Sequence, residues 1–116
     1  MSQTIVCVDD EAGICGVLRA VLRETGATVE TFTDPQAALA FLQSHDVALV
    51  VCDYRMPTMS GLYVLERLPK PVPFLMMSGD LEIELFSGVK GVTGVVAKPF
   101  SAGKLIERAK GYLGEG

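Results

Sequence analysis

With 116 residues the chain has room for one hydrophobic core and too little length for two. Almost half of it is apolar (49%), but in short blocks, and no run approaches the roughly 20 residues that span a bilayer. A formal net charge of −4 with scattered Lys and Arg argues against a basic face that would grip nucleic acid directly.

The first residues, Met1-Ser2-Gln3-Thr4, lack the basic and apolar regions of a signal peptide, so a cytoplasmic location is expected. Thr4 to Val8 reads as the first strand. From Gly13 to Thr25 the residues Ile14, Val17, Leu18, Val21 and Leu22 recur at helical spacing and predict one buried stripe, with Gly26 as the stop. Thr28 to Phe32 is a second strand, and Asp34-Pro35 caps and opens a helix whose inner face is Ala38, Leu39, Phe41 and Leu42. Val47 to Cys52 is an uninterrupted apolar run, as a central strand covered on both sides requires.

Beyond Met56-Pro57 a short helix is expected from Gly61 to Leu68. Pro69, Pro71 and Pro73 then break the chain before strand four, Phe74 to Met77. Asp80 to Phe86 reads as a short helix ended by Gly88. Val92 to Ala97 is strand five, and Ser101 caps a last helix carrying Leu105, Ile106, Ala109 and Leu113. Glu115-Gly116 reads as a trailing tail. Five strands alternating with five helices predict a three-layer α/β sandwich with right-handed crossovers. Its parallel sheet takes the flavodoxin-like order 2-1-3-4-5. Cys7, Cys15 and Cys52 show no metal-ligand spacing, and an odd count closes no disulfide framework, so all three are expected to be packing thiols. Met56, Met59, Met76 and Met77 are read as core packing, and His45 as an exposed residue after the second helix.

In this strand order Asp9-Asp10, Asp53, Ser78 and Lys98 arrive at one edge of the sheet, where open α/β sheets bind ligands. Carboxylates converging there repel one another unless a cation joins them. A carboxylate accepts a phosphoryl group once that penalty is offset, and Mg2+, a hard cation suited to oxygen ligands, supplies the offset; Mn2+ is a substitute. Asp10 and Asp53 are the expected direct ligands, Asp9 acts mostly through water, and a loop carbonyl at Arg55 completes the set. Lys98 neutralises the transferred group, and the Ser78 hydroxyl bonds one of its oxygens. Glu11 is expected to be a first-turn helix acid rather than a ligand.

These residues resemble a known family. Asp9-Asp10 after strand one, Asp53 followed by Met56-Pro57 and Gly61, Ser78 after strand four, and Lys98-Pro99-Phe100 after strand five are similar to the receiver domain of bacterial response regulators. The resemblance covers essentially residues 1–116 as one phosphoacceptor domain, with no effector domain. It implies a signalling switch in a two-component phosphorelay, not an enzyme, though one that assists its own phosphorylation and dephosphorylation. Asp53 is then phosphorylated by a histidine kinase, a phosphotransfer protein or acetyl phosphate, with Mg2+ on Asp10, Asp53 and the Arg55 carbonyl. The hydroxyl residue moves towards the phosphoryl group and remodels the face made by the short helix after strand four, strand five and the last helix. The resemblance further implies a downstream protein or in-chain effector, a monomer or weak dimer, and a cis bond at Lys98-Pro99.

Three features depart from the family pattern. Val95 stands where relatives carry Tyr or Phe, three residues before the lysine, which puts the aromatic readout in doubt; Tyr63 and Phe86 are the nearest rings, and neither matches the position. The connections around Ser78 are short, which trims two helices. Arg55 and Asp80 are placed to pair across the mouth of the site or to remain solvated. Alternative readings are a pseudo-receiver that only binds partners, a phosphohydrolase and a flavin protein. The phosphohydrolase lacks its second acid, since Arg55 occupies that place, and a phosphate of flavin would be repelled by Asp9-Asp10-Glu11.

Overall fold

The computed structural model describes residues 3–57, 59–79, 86 and 88–113. The strands are β1 (Thr4–Val8), β2 (Thr28–Phe32), β3 (Leu49–Asp53), β4 (Phe74–Gly79) and β5 (Gly94–Lys98). Four α-helices lie among the described residues: α1 (Ala12–Leu22), α2 (Pro35–Ser44), α3 (Gly61–Glu66) and α4 (Ala102–Tyr112). The sheet runs β2-β1-β3-β4-β5, and every pairing is parallel. This is the flavodoxin-like architecture expected. The helix anticipated at Asp80 to Phe86 lies, apart from Phe86, outside the described residues.

Alternation along each strand divides the core into two layers. Ile5, Cys7, Leu49, Val51, Leu75 and Met77 point to one face and are covered by Leu18 and Leu22 of α1 and by Leu105 and Ala109 of α4. Val6, Val8, Val50, Cys52, Phe74 and Met76 point to the other, under Ala38, Leu39 and Leu42 of α2 and Val64 of α3. β3 is buried at all five positions, because both faces are covered.

The helix signals act as read, with adjustments. Asp34 accepts from the Gln36 amide at 3.0 Å, and Ser101 caps α4 through the Lys104 amide. Gly26 adopts φ 88 behind a 3₁₀ turn at Arg23–Thr25, the left-handed geometry in which glycine ends helices. Of the stripe expected on α1, Leu18 and Leu22 are buried and Ile14 and Val21 pack against the core, whereas Val17 is 47% exposed and Cys15 is buried in addition. α3 stops at Glu66 rather than Leu68, since the ring of Pro69 disfavours helical geometry in Leu68 before it. β3 starts at Leu49, later than Val47, and β4 runs on to Gly79. β5 is shifted to Gly94–Lys98, and the Lys98–Pro99 bond is cis.

Arg108 of α4 reaches across Gly94 of β5, where a Cβ would collide with the guanidinium, and donates to the Val95 carbonyl at 2.6 Å.

Candidate functional site

Parallel strands end together, and here β1, β3 and β5 end in acids and a lysine. Asp9 follows β1 directly; its amide donates to the Phe32 carbonyl at 3.0 Å, which fixes the backbone where the chain leaves the sheet. Asp53 is the last residue of β3, and the next amide, of Tyr54, donates to the Met77 carbonyl at 2.9 Å. Lys98 ends β5, level with Gly79. Its Nζ donates to Asp9 Oδ2 at 2.9 Å and lies 3.2 Å from Asp53 Oδ1. One ammonium therefore bridges the two buried carboxylates.

Asp9 is 0% and Asp53 5% exposed, whereas Asp10 faces solvent. Carboxylate oxygens of Asp9, Asp10 and Asp53 all lie within 4.8 Å of one another. Burial, then the charge of Asp9, raises the pKa of Asp53, against the pull of Lys98. Burial disfavours the Lys98 ammonium, but the hydrogen bonds to Asp9 and Asp53 outweigh it and its pKa is raised. An all-oxygen cluster open on the Asp10 side suits a small hard cation such as Mg2+, which keeps several waters. Both oxygens of Asp9 are engaged: Oδ1 accepts from the Glu11 amide at 2.9 Å and Oδ2 from Lys98.

The structure brings Asp9, Asp10, Asp53 and Lys98 together. Ser78 sits buried near the end of β4, with its hydroxyl directed to the Gly79 carbonyl at 3.3 Å. Arg55 lines a recess of about 430 Å³ with Asp10, Tyr54, Met56, Pro57 and Ser60. The anticipated pairing of Arg55 with Asp80 lies outside the described residues. Glu11 is exposed at the N-cap of α1. The three thiols are free and buried, and burial raises all three, so they pack as protonated groups. His45 is exposed and stacks on Phe41, with 3.9 Å between centroids. Met56, Met76 and Met77 are buried.

Two positioning features were not read from the sequence. A Cβ on Gly61 would lie 2.5 Å from Met76 Sδ and 2.7 Å from the Asp53 carbonyl oxygen, while the Gly61 amide donates to the Tyr54 carbonyl at 2.9 Å. The start of α3 thus presses on the residue that ends β3, and only glycine fits. Tyr54, next to Asp53, tilts against Phe86 with centroids 4.5 Å apart, and Phe86 belongs to the layer on which Val95 packs. The spacing from Asp53 to Gly61 hints at the first feature; no local pattern marks the second.

Comparison with known proteins decides the family. Residues 5–110 match the response regulator receiver domain. The chain belongs to that family. Receivers act in general as signalling domains of two-component response regulators rather than as enzymes, and phosphorylation and Mg2+ are typical of them. The regulatory protein VanRc of Enterococcus gallinarum is 30% identical, over 97% of this chain and 51% of its own length. The sensory transduction protein RegX3 of Mycobacterium tuberculosis is 33% identical over 97% and 52%. The chain thus spans about half the length of the curated relatives it matches. Among solved structures, a CheY-like receiver domain protein of Methanospirillum hungatei superimposes with TM-score 0.85 at 27% identity, covering 96% of this receiver and 93% of that chain. The chemotaxis protein CheY4 of Vibrio cholerae gives 0.83 at 26%, covering 97% and 100%. No helix among the described residues is long and apolar enough to cross a membrane.

Proposed function

We propose that this receiver accepts a phosphoryl group on Asp53 from a histidine kinase or phosphotransfer protein, or from acetyl phosphate, and thereby alters a partner-binding face. The observation that carries this reading is the Lys98 ammonium shared between Asp9 and Asp53, 2.9 and 3.2 Å away, inside a cluster of three carboxylates. Asp53 supplies the attacking oxygen. The bond from phosphorus to the donor's leaving group breaks as the acyl phosphate forms, and the donor departs with the electron pair. Lys98 stands where negative charge gathers on the transferred oxygens, and the Ser78 hydroxyl is the expected donor to one of them. Mg2+, or Mn2+ in its place, would be held by Asp10, Asp53 and the Arg55 carbonyl, with Asp9 acting through water. When bound it offsets carboxylate repulsion and screens the incoming phosphoryl charge. The engagement of both Asp9 oxygens supports that indirect role.

The test is intact mass after incubation with acetyl phosphate and Mg2+. The native chain gains one phosphoryl mass and Asp53→Ala gains none. If the native chain stays unmodified, or the variant gains as much, the reading fails.

A further inference from the structure

Cys15, near the start of α1, is buried, and its thiol donates to the Asp9 carbonyl at 3.3 Å. The Phe32 carbonyl lies 3.7 Å from the same sulfur. Side chains of a helix lean towards its N-terminus, which is why this one reaches back to the strand exit that the helix follows. The Phe32 carbonyl already accepts from the Asp9 amide at 3.0 Å. The thiol thus closes a ring that ties α1 and the ends of β1 and β2 together at Asp9. The other thiols act differently: Cys7 packs in the core, and Cys52 points to the carbonyl of its own neighbour, Asp53, at 3.5 Å.

The Asp9 carbonyl matters because its peptide carries Asp10. A peptide unit is planar, so fixing the oxygen fixes the direction in which Asp10 leaves the strand. Asp9 is itself held at its amide by Phe32 and at its carboxylate by Glu11 and Lys98. Asp10 instead faces solvent, yet one of its carboxylate oxygens lies within 4.8 Å of those of Asp9 and Asp53. Its place in the cluster is therefore set by the backbone that bears it. Among the described residues no loop amide donates to the Asp9 carbonyl, and the thiol takes that position. Burial raises the Cys15 thiol, so its proton stays in place at neutral pH.

We propose that Cys15 is a positioning residue for the acidic cluster: by holding the Asp9 carbonyl it aims Asp10 at the cation that Asp10 and Asp53 share. It touches neither the cation nor the phosphoryl group. This role presupposes the capacity of the cluster for Mg2+ proposed above. A thiol is a weak donor, so its loss grades the affinity and does not abolish it.

The test compares the native chain with Cys15→Ala, Cys15→Val and Cys15→Ser, each shown to be folded by its urea midpoint. Alanine and valine lack the donor and bracket the thiol in size, whereas serine keeps a donor. In a chelator, the 13C shift of the Asp9 carbonyl and the amide shift of Asp10 report the bond. Titration with Mg2+, followed through amide shifts, reports affinity. Alanine and valine move both signals and weaken Mg2+ about threefold to tenfold, while serine stays within about twofold of native. Phosphorylation by acetyl phosphate recovers in both weakened variants once Mg2+ is saturating. Unchanged affinity in the alanine and valine variants overturns the proposal. Equal loss in all three also overturns it, since size and not the donor is then the cause. A native chain that binds Mg2+ but gains no phosphoryl mass removes the function proposed above and leaves the role of Cys15 standing. One that binds no Mg2+ removes both.

Discussion

The two ends of this sheet are built by different means. At the carboxyl end, strand termini place Asp9, Asp53 and Lys98 on a buried, hydrogen-bonded frame, and the loops only finish the site. At the amino end no charged side chain among the described residues is buried, and a groove is shaped by a truncated helix and three prolines. Chemistry that demands fixed distances sits on regular structure; a groove without that demand sits on connections, which vary more freely. Different substitutions therefore separate the two ends.

The largest effect is expected from Lys98→Ala, which leaves Asp9 and Asp53 facing each other without their shared cation. Phosphorylation by acetyl phosphate should slow about a hundredfold or more, followed by intact mass against time. A rate within a few-fold of native would remove the carboxyl end's claim to a built site. Next comes Gly61→Ala, whose methyl meets Met76 and the Asp53 carbonyl. It should cost about 1–3 kcal/mol in urea unfolding and weaken Mg2+ binding as Asp53 shifts. An unchanged midpoint would mean that α3 does not clamp β3.

A smaller, pH-dependent effect follows from the raised pKa of Asp53, caused first by burial and then by Asp9. A carboxyl that binds its proton more tightly when folded opposes folding once ionised. In a chelator, Asp53→Asn should therefore be more stable than native at neutral pH. The advantage should grow as pH rises from the ordinary carboxylate value of 3.8 through the raised one, and vanish below both. Thermal melts across that range would measure it, and a pH-independent gap would contradict it. The smallest effect is at the far end: Lys90→Glu should leave the phosphorylation rate within about twofold, since roughly 20 Å of separation exceeds the ~8–10 Å screening length.

What could be read in advance follows the same division. Asp9, Asp53 and Lys98 each follow a run of β-formers, so strand order alone brings them together, and Asp34 and Ser101 announce their helices as caps. The full arrangement of Asp9 was not legible, because its contact with Lys98 joins residues 89 positions apart, although its bond from the Glu11 amide is local. Val17 misled because helical spacing does not distinguish the centre of an apolar stripe from a residue one step beyond it. The partners of Gly61 come from two separate segments, Asp53-Tyr54 and Met76, and the groove depends on where α3 stops, which Pro69 limits but does not set.

One contact bears on the sheet as an object in solution. β5 is an edge, and a row of open amides and carbonyls invites pairing with another chain. Arg108, lying over Gly94 and holding the Val95 carbonyl, sets a charged, bulky group against that strand. The absent side chain at position 94 thereby makes room for a guanidinium that ties the last helix to the edge strand through the Val95 carbonyl.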